Sequence, residues 1–279
     1  MRVDQYRQAN LQNWESRVPV HLAADGEGVR ALADDPTALS TVVAHDAAAL
    51  GDLTGQRALH LQCHVGTDTL SLARLGAQIT GLDFAPSAIA AARQLCERAG
   101  VPARFVVSDV YEAGVALNGE RFDLVYTGVG ALCWLPDIVG WARVVTALLE
   151  PGGRLFVREL HPVLFTLDDE RNDELLVIRY PYFNTAEPQF VDSPTSYQNR
   201  AVELSAPQRY VWNHGLGEVV TALIEAGLRI TSLVEHAESE WHALPWMVPT
   251  SDGRHGLPPG RERVPLMYTL TAVRDRPAV

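Results

Sequence analysis

The chain has 279 residues, 47 % of them hydrophobic, enough for one sizeable core or one domain carrying a cap. With 23 Lys and Arg against 34 Asp and Glu the formal net charge is −11, and no Lys/Arg-rich run interrupts it, which argues against nucleic acid as substrate or partner. Cys63, Cys96 and Cys133 form no CxxC pair, the start lacks an apolar leader core, and no run nears the roughly 18 apolar residues of a membrane span; no disulfide framework, metal site or membrane partner is expected, but a cytoplasmic monomer or homodimer.

The opening segment YRQANLQNWESRVPVH (6–21) spaces Tyr6, Asn10, Trp14, Arg17 and His21 at mostly helical intervals, predicting a helix packed on a sheet or closing as a lid. RALHLQC (57–63) reads as a buried strand and TDTLSLARL (67–75) as a helix closed by Gly76. AQITGLD (77–83) is a second strand, and PSAIAAARQLCERA (86–99) is an Ala-rich helix with Pro86 in its first turn and Gly100 beyond its end. ARFVVSD (103–109) and FDLVYTG (122–128) are the third and fourth strands. PDIVGWARVVTALL (136–149) has the apolar spacing of a helix, and GRLFVREL (153–160) is the fifth strand. Beyond it, LLVIRYPYF (175–183) and QRYVW (208–212) are possible strands. GLGEVVTALIEAG (215–227) is a helix, and 227–236 and 264–273 are two further strands flanking a Trp- and Pro-rich loop at 241–260.

This alternation predicts an α/β protein with a doubly wound, mostly parallel seven-stranded sheet, helices on both faces, and a cap inserted after strand five. The expected division is an N-terminal helical lid (1–50), a ligand-binding core (51–160), a substrate cap (161–212) and the rest of the core (213–279). Sheets of this kind bind ligands at the carboxyl ends of their strands, near the switch in strand order.

The stretch ALHLQCHVGTDTLSLARLGAQITGLDFAPSAIAAAR (58–93) resembles the cofactor-binding half of class I S-adenosylmethionine-dependent methyltransferases of the small-molecule type, and the Pro-Gly-Gly turn in LLEPGGRLFV (148–157) agrees with it. The family's first loop reads as an acid, a Gly-rich turn and a helix. Here His60 stands at the acid's position, Gln62 and His64 replace two glycines, and only Gly66 remains. The resemblance implies S-adenosyl-L-methionine as cofactor. Asp83 with Phe84 is then expected at the ribose and adenine, and Ser108, Asp109, Val110 and Tyr111 around the base. Gln62, Cys63 and Gly66 fall beside the methionine end, and Thr127 and Gly128 face the methyl group. From the lid, Tyr6 or Arg17 would meet the carboxylate and Trp14 would shield the sulfonium.

Methyl transfer is an in-line displacement that needs alignment, exclusion of water and often removal of a proton. Candidate acid–base groups are Glu159 and His161 at the end of strand five, His214 before the later helix, and Glu170 in the acidic run 168–174. Trp134, Tyr180, Tyr182, Tyr210, Trp212 and Trp246 are candidates for the acceptor pocket. A small-molecule acceptor methylated on oxygen or nitrogen is favoured. Carbon methylation of a terpenoid or prenyl pyrophosphate, using the acidic run with Arg200 and Arg209, is a further option. The alternatives are an NAD(P)-dependent oxidoreductase, disfavoured because 62–66 lacks GxGxxG spacing, and an inactive methyltransferase-like binding protein.

Overall fold

The computed structural model describes residues 2–24, 26–196, 201–261 and 263–276. Three helices come first: α1 (Arg2–Ala24), α2 (Gly26–Asp34) and α3 (Thr41–Leu50). The alternating region follows as β1 (Arg57–Leu61), α4 (Thr67–Arg74), β2 (Gln78–Asp83), α5 (Pro86–Ala99), β3 (Arg104–Val107), α6 (Ala113–Ala116), β4 (Phe122–Thr127), α7 (Ile138–Leu148) and β5 (Leu149–Leu160). Then come β6 (Gln189–Asp192), β7 (Gln208–Val211), α8 (Leu216–Glu225), β8 (Leu228–His236), β9 (Glu238–Ser239), β10 (Val248–Pro249), β11 (His255–Gly256) and β12 (Met267–Arg274).

Seven strands form one sheet in the order β3-β2-β1-β4-β5-β12-β8. The first five pair in parallel, whereas β12 runs antiparallel to both β5 and β8. A six-stranded dinucleotide sheet of order 3-2-1-4-5-6 has no such strand wedged beside its fifth. β1 is buried at every position after Arg57, as a strand covered on both faces must be. The apolar stripes of α7 (Ile138, Trp141, Val145, Leu148) and α8 (Val219, Ala222, Leu223) cover one face. Val43 and Leu50 of α3 and Leu72 of α4 cover the other.

Local chemistry fixes the element ends. Pro86 sits in the first turn of α5 and Gly100, at φ 64°, ends it. Gly66, at φ 81°, starts α4, and a Cβ there would lie 2.7 Å from Ala92 Cβ, so the glycine lets α4 and α5 meet. β1 and β4 are neighbours, so the strand order reverses between them and a crevice opens at their carboxyl ends.

The cap departs from expectation in one place. Residues 175–183 form no strand; a single bridge joins Ile178 to Leu167. The run contains Pro181, and Leu175, Ile178 and Phe183 stay exposed, so it has neither a full ladder partner nor a surface to bury. β7, by contrast, pairs with β6 and is gripped by α1: Asn10 Nδ2 donates to the Tyr210 carbonyl, and the Tyr210 N–H donates to Asn10 Oδ1, both at 2.8 Å. Arg200 lies outside the described residues.

Candidate active site

A cavity of about 490 Å³ lies at the carboxyl ends of β1, β2 and β4, within the roughly 300–1,000 Å³ usual for small-ligand sites. Its floor is the loop after β1 (Gln62–Val65), Asp83–Phe84 after β2, and Ser108–Tyr111 after β3. Arg7, Asn10, Trp14 and His21 of α1 roof it, and Gly128–Ala131 with Trp134–Pro136, residues 39–42 and Glu240–Trp241 close the far wall.

The loop after β1 keeps the backbone of a glycine-rich turn without its glycines. Gln62 and His64 adopt φ of 57° and 49°, a conformation that costs a side-chain-bearing residue about 1–2 kcal/mol. Side-chain contacts hold them there. Gln62 Nε2 donates to the Ala131 carbonyl at 2.9 Å, tying this loop to the one after β4. The His64 ring packs 4.9 Å from Trp14 and 5.1 Å from His21.

Asp83 lines the floor. Its Oδ2 accepts from the His64 N–H and its Oδ1 from the Ala85 N–H, each at 2.9 Å. Burial pushes its carboxyl up to about 6 against those backbone bonds. The Phe84 N–H adds a third backbone bond; a carboxylate offers about four lone-pair sites, so capacity remains for a ligand hydroxyl. Asp109 stands two residues past the end of β3, where its Oδ1 accepts from the Tyr111 N–H at 2.9 Å. Its Oδ2 takes the Arg7 guanidinium at 2.9 and 2.5 Å, and Arg7 also covers the Tyr111 ring. Any ligand amine reaching Asp109 shares it with Arg7, which the sequence did not announce. Ser108 Oγ donates to the Asp109 carbonyl, and Tyr111 exchanges hydrogen bonds with Asp137.

At the deep corner His60 and Asp68 meet beside Gly128: a Cβ at 128 would lie 3.4 Å from Asp68 Oδ2 and 3.5 Å from His60 Nε2. His60 Nδ1 is 2.9 Å from the Thr69 hydroxyl, and burial lowers the imidazole to about 3, so it is neutral. His64 is likewise held at about 3 and His21 at about 4, both mainly by burial. Burial raises the Asp68 carboxyl, with a Ser40 hydrogen bond opposing and the Glu240 charge adding. Glu240 is fixed from behind by Arg158, whose Nε and Nη2 meet Oε1 at 2.9 and 2.5 Å while Nη1 reaches Asp46 at 3.1 Å.

The other expected residues fall in different places. Trp14, Gln62, Cys63, Phe84, Val110, Gly128 and Trp134 line the cavity, whereas Thr127 is buried behind it. Cys63 is a packed thiol raised by burial, not an ionised one. Tyr6 turns toward the cap, donating to Glu187 at 2.6 Å and packing 4.5 Å from Tyr210. Arg17 is buried, donating to Asn13 and Ser196 under the Trp14 and Trp134 rings.

None of the four expected acid–base groups lines the cavity. Glu159 accepts from the N–H groups of Gly130, Ala131, Leu132 and Leu160 at 2.6–3.0 Å, so it shapes the loop after β4 from beneath. His161 pairs with Glu235 at 2.9 Å and accepts from the Val163 N–H. His214 Nε2 is 2.7 Å from the Leu135 carbonyl, bracing the same loop. Glu170 is exposed and paired with Arg179. Tyr180 packs under Arg179 and Tyr182 against Gly215, Trp212 is buried with its backbone N–H donating to the Cys133 carbonyl, and Trp246 lies in the apolar cluster of the 241–260 loop. Among the described residues no three His, Cys, Asp or Glu converge as metal ligands. The residues that sequence reasoning passed over, Arg7, Asp68 and Glu240, come from a lid helix, a helix start and a distant loop, where Trp241 of the Trp- and Pro-rich loop also lines the cavity. Only Asp68, eight residues after the missing acid, had a local signal.

The comparisons agree with this geometry. A family model described as a methyltransferase domain matches residues 59–155. The ubiquinone biosynthesis O-methyltransferase of Xanthomonas euvesicatoria pv. vesicatoria (strain 85-10) is 36 % identical over 118 residues, 42 % of this chain and 48 % of that protein. Its counterpart in Xanthomonas campestris pv. campestris (strain B100) is 34 % identical over 146 residues, 52 % of this chain and 58 % of that one. The matched region therefore spans about half the length of these curated relatives. Among solved structures, an S-adenosylmethionine dependent methyltransferase from Mesorhizobium loti superposes with a TM-score of 0.56 at 20 % identity, covering 90 % of this chain and 98 % of that one. One from Clostridium acetobutylicum ATCC 824 gives a TM-score of 0.56 at 12 % identity, covering 84 % and 89 %. At these identities the structural likeness is one of fold.

Proposed function

We propose that the protein transfers the methyl group of S-adenosylmethionine to a small molecule, with oxygen favoured over nitrogen as the acceptor atom, a reading supported by the methyltransferase-domain model that matches residues 59–155. The observation that carries this reading is the roofed crevice at the ends of β1, β2 and β4, with the Asp83 carboxylate at its floor. Bound there, the cofactor supplies an electrophilic methyl on a sulfonium.

The chain's own residues do the rest. Asp83 accepts from the ribose hydroxyls, Phe84 and Val110 flank the base, and Asp109 shares its carboxylate between Arg7 and the adenine amine. Trp14 and Trp134, 5.0 Å apart, keep water from the reacting end. With Trp241 they form aromatic walls suited to a flat acceptor such as a phenol. His64 Nε2 has no hydrogen-bond partner among the described residues. At about 3 its imidazole is a neutral acceptor that orients a hydroxyl rather than a strong base, so alignment supplies most of the rate. Glu159 and His214 are positioning residues for the loop that carries Trp134.

Support for an oxygen acceptor comes from the curated relatives, which are named O-methyltransferases. A pyrophosphate acceptor is not favoured, since Asp168 and Glu170 both bond Arg179, and Arg171 bonds Asp173, away from the cavity. No helix among the described residues is long and apolar enough to cross a membrane. The formal net charge of −11, with no Lys/Arg-rich run, supports a small-molecule acceptor over nucleic acid, and we read the protein as a cytoplasmic monomer or homodimer. Titration calorimetry tests the cofactor directly: S-adenosylhomocysteine binds in the micromolar range and NADH does not. The reverse ranking would end the methyltransferase reading in favour of an oxidoreductase. Transfer of labelled methyl from S-adenosylmethionine into a panel of phenols separates an active enzyme from a binding protein.

A further inference from the structure

If this crevice holds S-adenosylmethionine, the cofactor's amino-acid end brings an ammonium that wants a carboxylate, and β1 presents none. Its expected position is taken by His60, buried, bonded to Thr69 and edge-on to Tyr126. A carboxylate reaches the same corner from the next element. Asp68, in the first turn of α4, lines the cavity and converges with His60 on Gly128. Its place at a helix start suits a negative charge. Glu240 faces the cavity from the start of the loop after β9; its side chain is 6 % exposed, Arg158 holds Oε1, and Oε2 has no hydrogen-bond partner among the described residues.

The charge balance of the wall is one-sided. Among the described lining residues Arg7 carries the fixed positive charge, and it is bonded to Asp109 over the base end. The Asp68 corner therefore holds one carboxylate answered by a hydroxyl and another half answered by Arg158. Desolvated carboxylates without a full counter-charge favour an incoming cation. We propose that Asp68 binds the cofactor's ammonium in place of the acid absent from β1, with the free oxygen of Glu240 adding to the negative potential there. Recognition of the amino-acid end has moved from a strand tip to a helix start.

The proposal rests on the cofactor reading above, and one experiment separates the two. Calorimetry measures S-adenosylhomocysteine and its deamino analogue, which keeps the adenosine and carboxylate but lacks the amino group, on the wild type and on Asp68→Asn. The expected result is a tenfold or greater loss of affinity for S-adenosylhomocysteine in Asp68→Asn, with the deamino analogue bound within twofold of wild type. Asp68→Ser, a second variant, shows the same selectivity. Equal affinity of wild type and both variants for S-adenosylhomocysteine overturns the assignment and leaves the cofactor reading intact. An equal loss for both ligands overturns it too, because Asp68 then only supports the fold. A wild type that binds neither ligand sinks both readings.

Discussion

The carboxyl ends of β2 and β5 both carry an acid, and the two acids do opposite work. Asp83 accepts from backbone N–H groups on both oxygens and turns the rest of its capacity to an open cavity. Glu159 has four N–H donors around it, three of them from the loop after β4, and does not line the cavity that Asp83 faces. The difference lies in the loops rather than in the strands. Where a neighbouring loop folds back across a strand tip, its unpaired backbone donors claim the side chain; where it arches away, the side chain is left to a ligand.

The sharpest way to break this comparison is Glu159→Gln. The amide keeps one acceptor oxygen and sets an NH₂ against backbone donors, so stability falls by about 2–3 kcal/mol, read as a lower urea midpoint at unchanged slope. A variant as stable as wild type means that Glu159 is not the anchor of residues 130–132. Next in size is a pH effect at the neighbouring strand. His60 sits at about 3 when folded against roughly 6.5 unfolded, so the unfolded chain binds the extra proton and stability drains away as pH falls from about 6.5 toward 3. Between pH 6.5 and 5 this amounts to about 2 kcal/mol. The raised carboxyls Asp46, Asp83 and Glu159 act in the other sense. The measurement is therefore the difference in pH slope between wild type and His60→Asn, and parallel curves refute it.

Asp83→Ala sharpens the other side. S-adenosylhomocysteine affinity drops at least tenfold, about 1.4 kcal/mol; an unchanged dissociation constant shows that the sugar is held elsewhere. The smallest effect belongs to His161→Ala. With His161 paired to Glu235 off the cavity, S-adenosylhomocysteine binding stays within twofold and turnover changes little. A large fall in turnover with binding intact would restore it as an acceptor-side group.

The core was legible because parallel strands buried on both faces announce themselves as short apolar runs, and because each run ends where a ligand-facing residue must begin. Asp83 and Asp109 follow from that pitch and line the cavity, whereas Gly66 lies off its lining and the expected turn at 151–153 is part of β5. Of the roof and far wall, Trp14, Gly128 and Trp134 were legible, whereas Arg7 and Glu240 were not. Arg7 meets Asp109 across 102 residues of chain and Glu240 meets Arg158 across 82, separations for which no local periodicity exists. His161 and Glu159 were misleading for a related reason: a titratable residue at a strand tip looks the same in sequence whether its partner is a substrate or a backbone amide. Residues 175–183 show the limit of apolar runs, since β-propensity without an adjacent edge makes no strand.

Asn10 bonds both backbone groups of Tyr210, as a neighbouring strand would. One amide side chain thus terminates the free edge of the β6–β7 ribbon, a place where a second copy could otherwise add on. The helix that roofs the cavity also covers that ribbon edge, so a chain trimmed of its first two dozen residues is expected to lose S-adenosylhomocysteine binding and begin to aggregate in the same step.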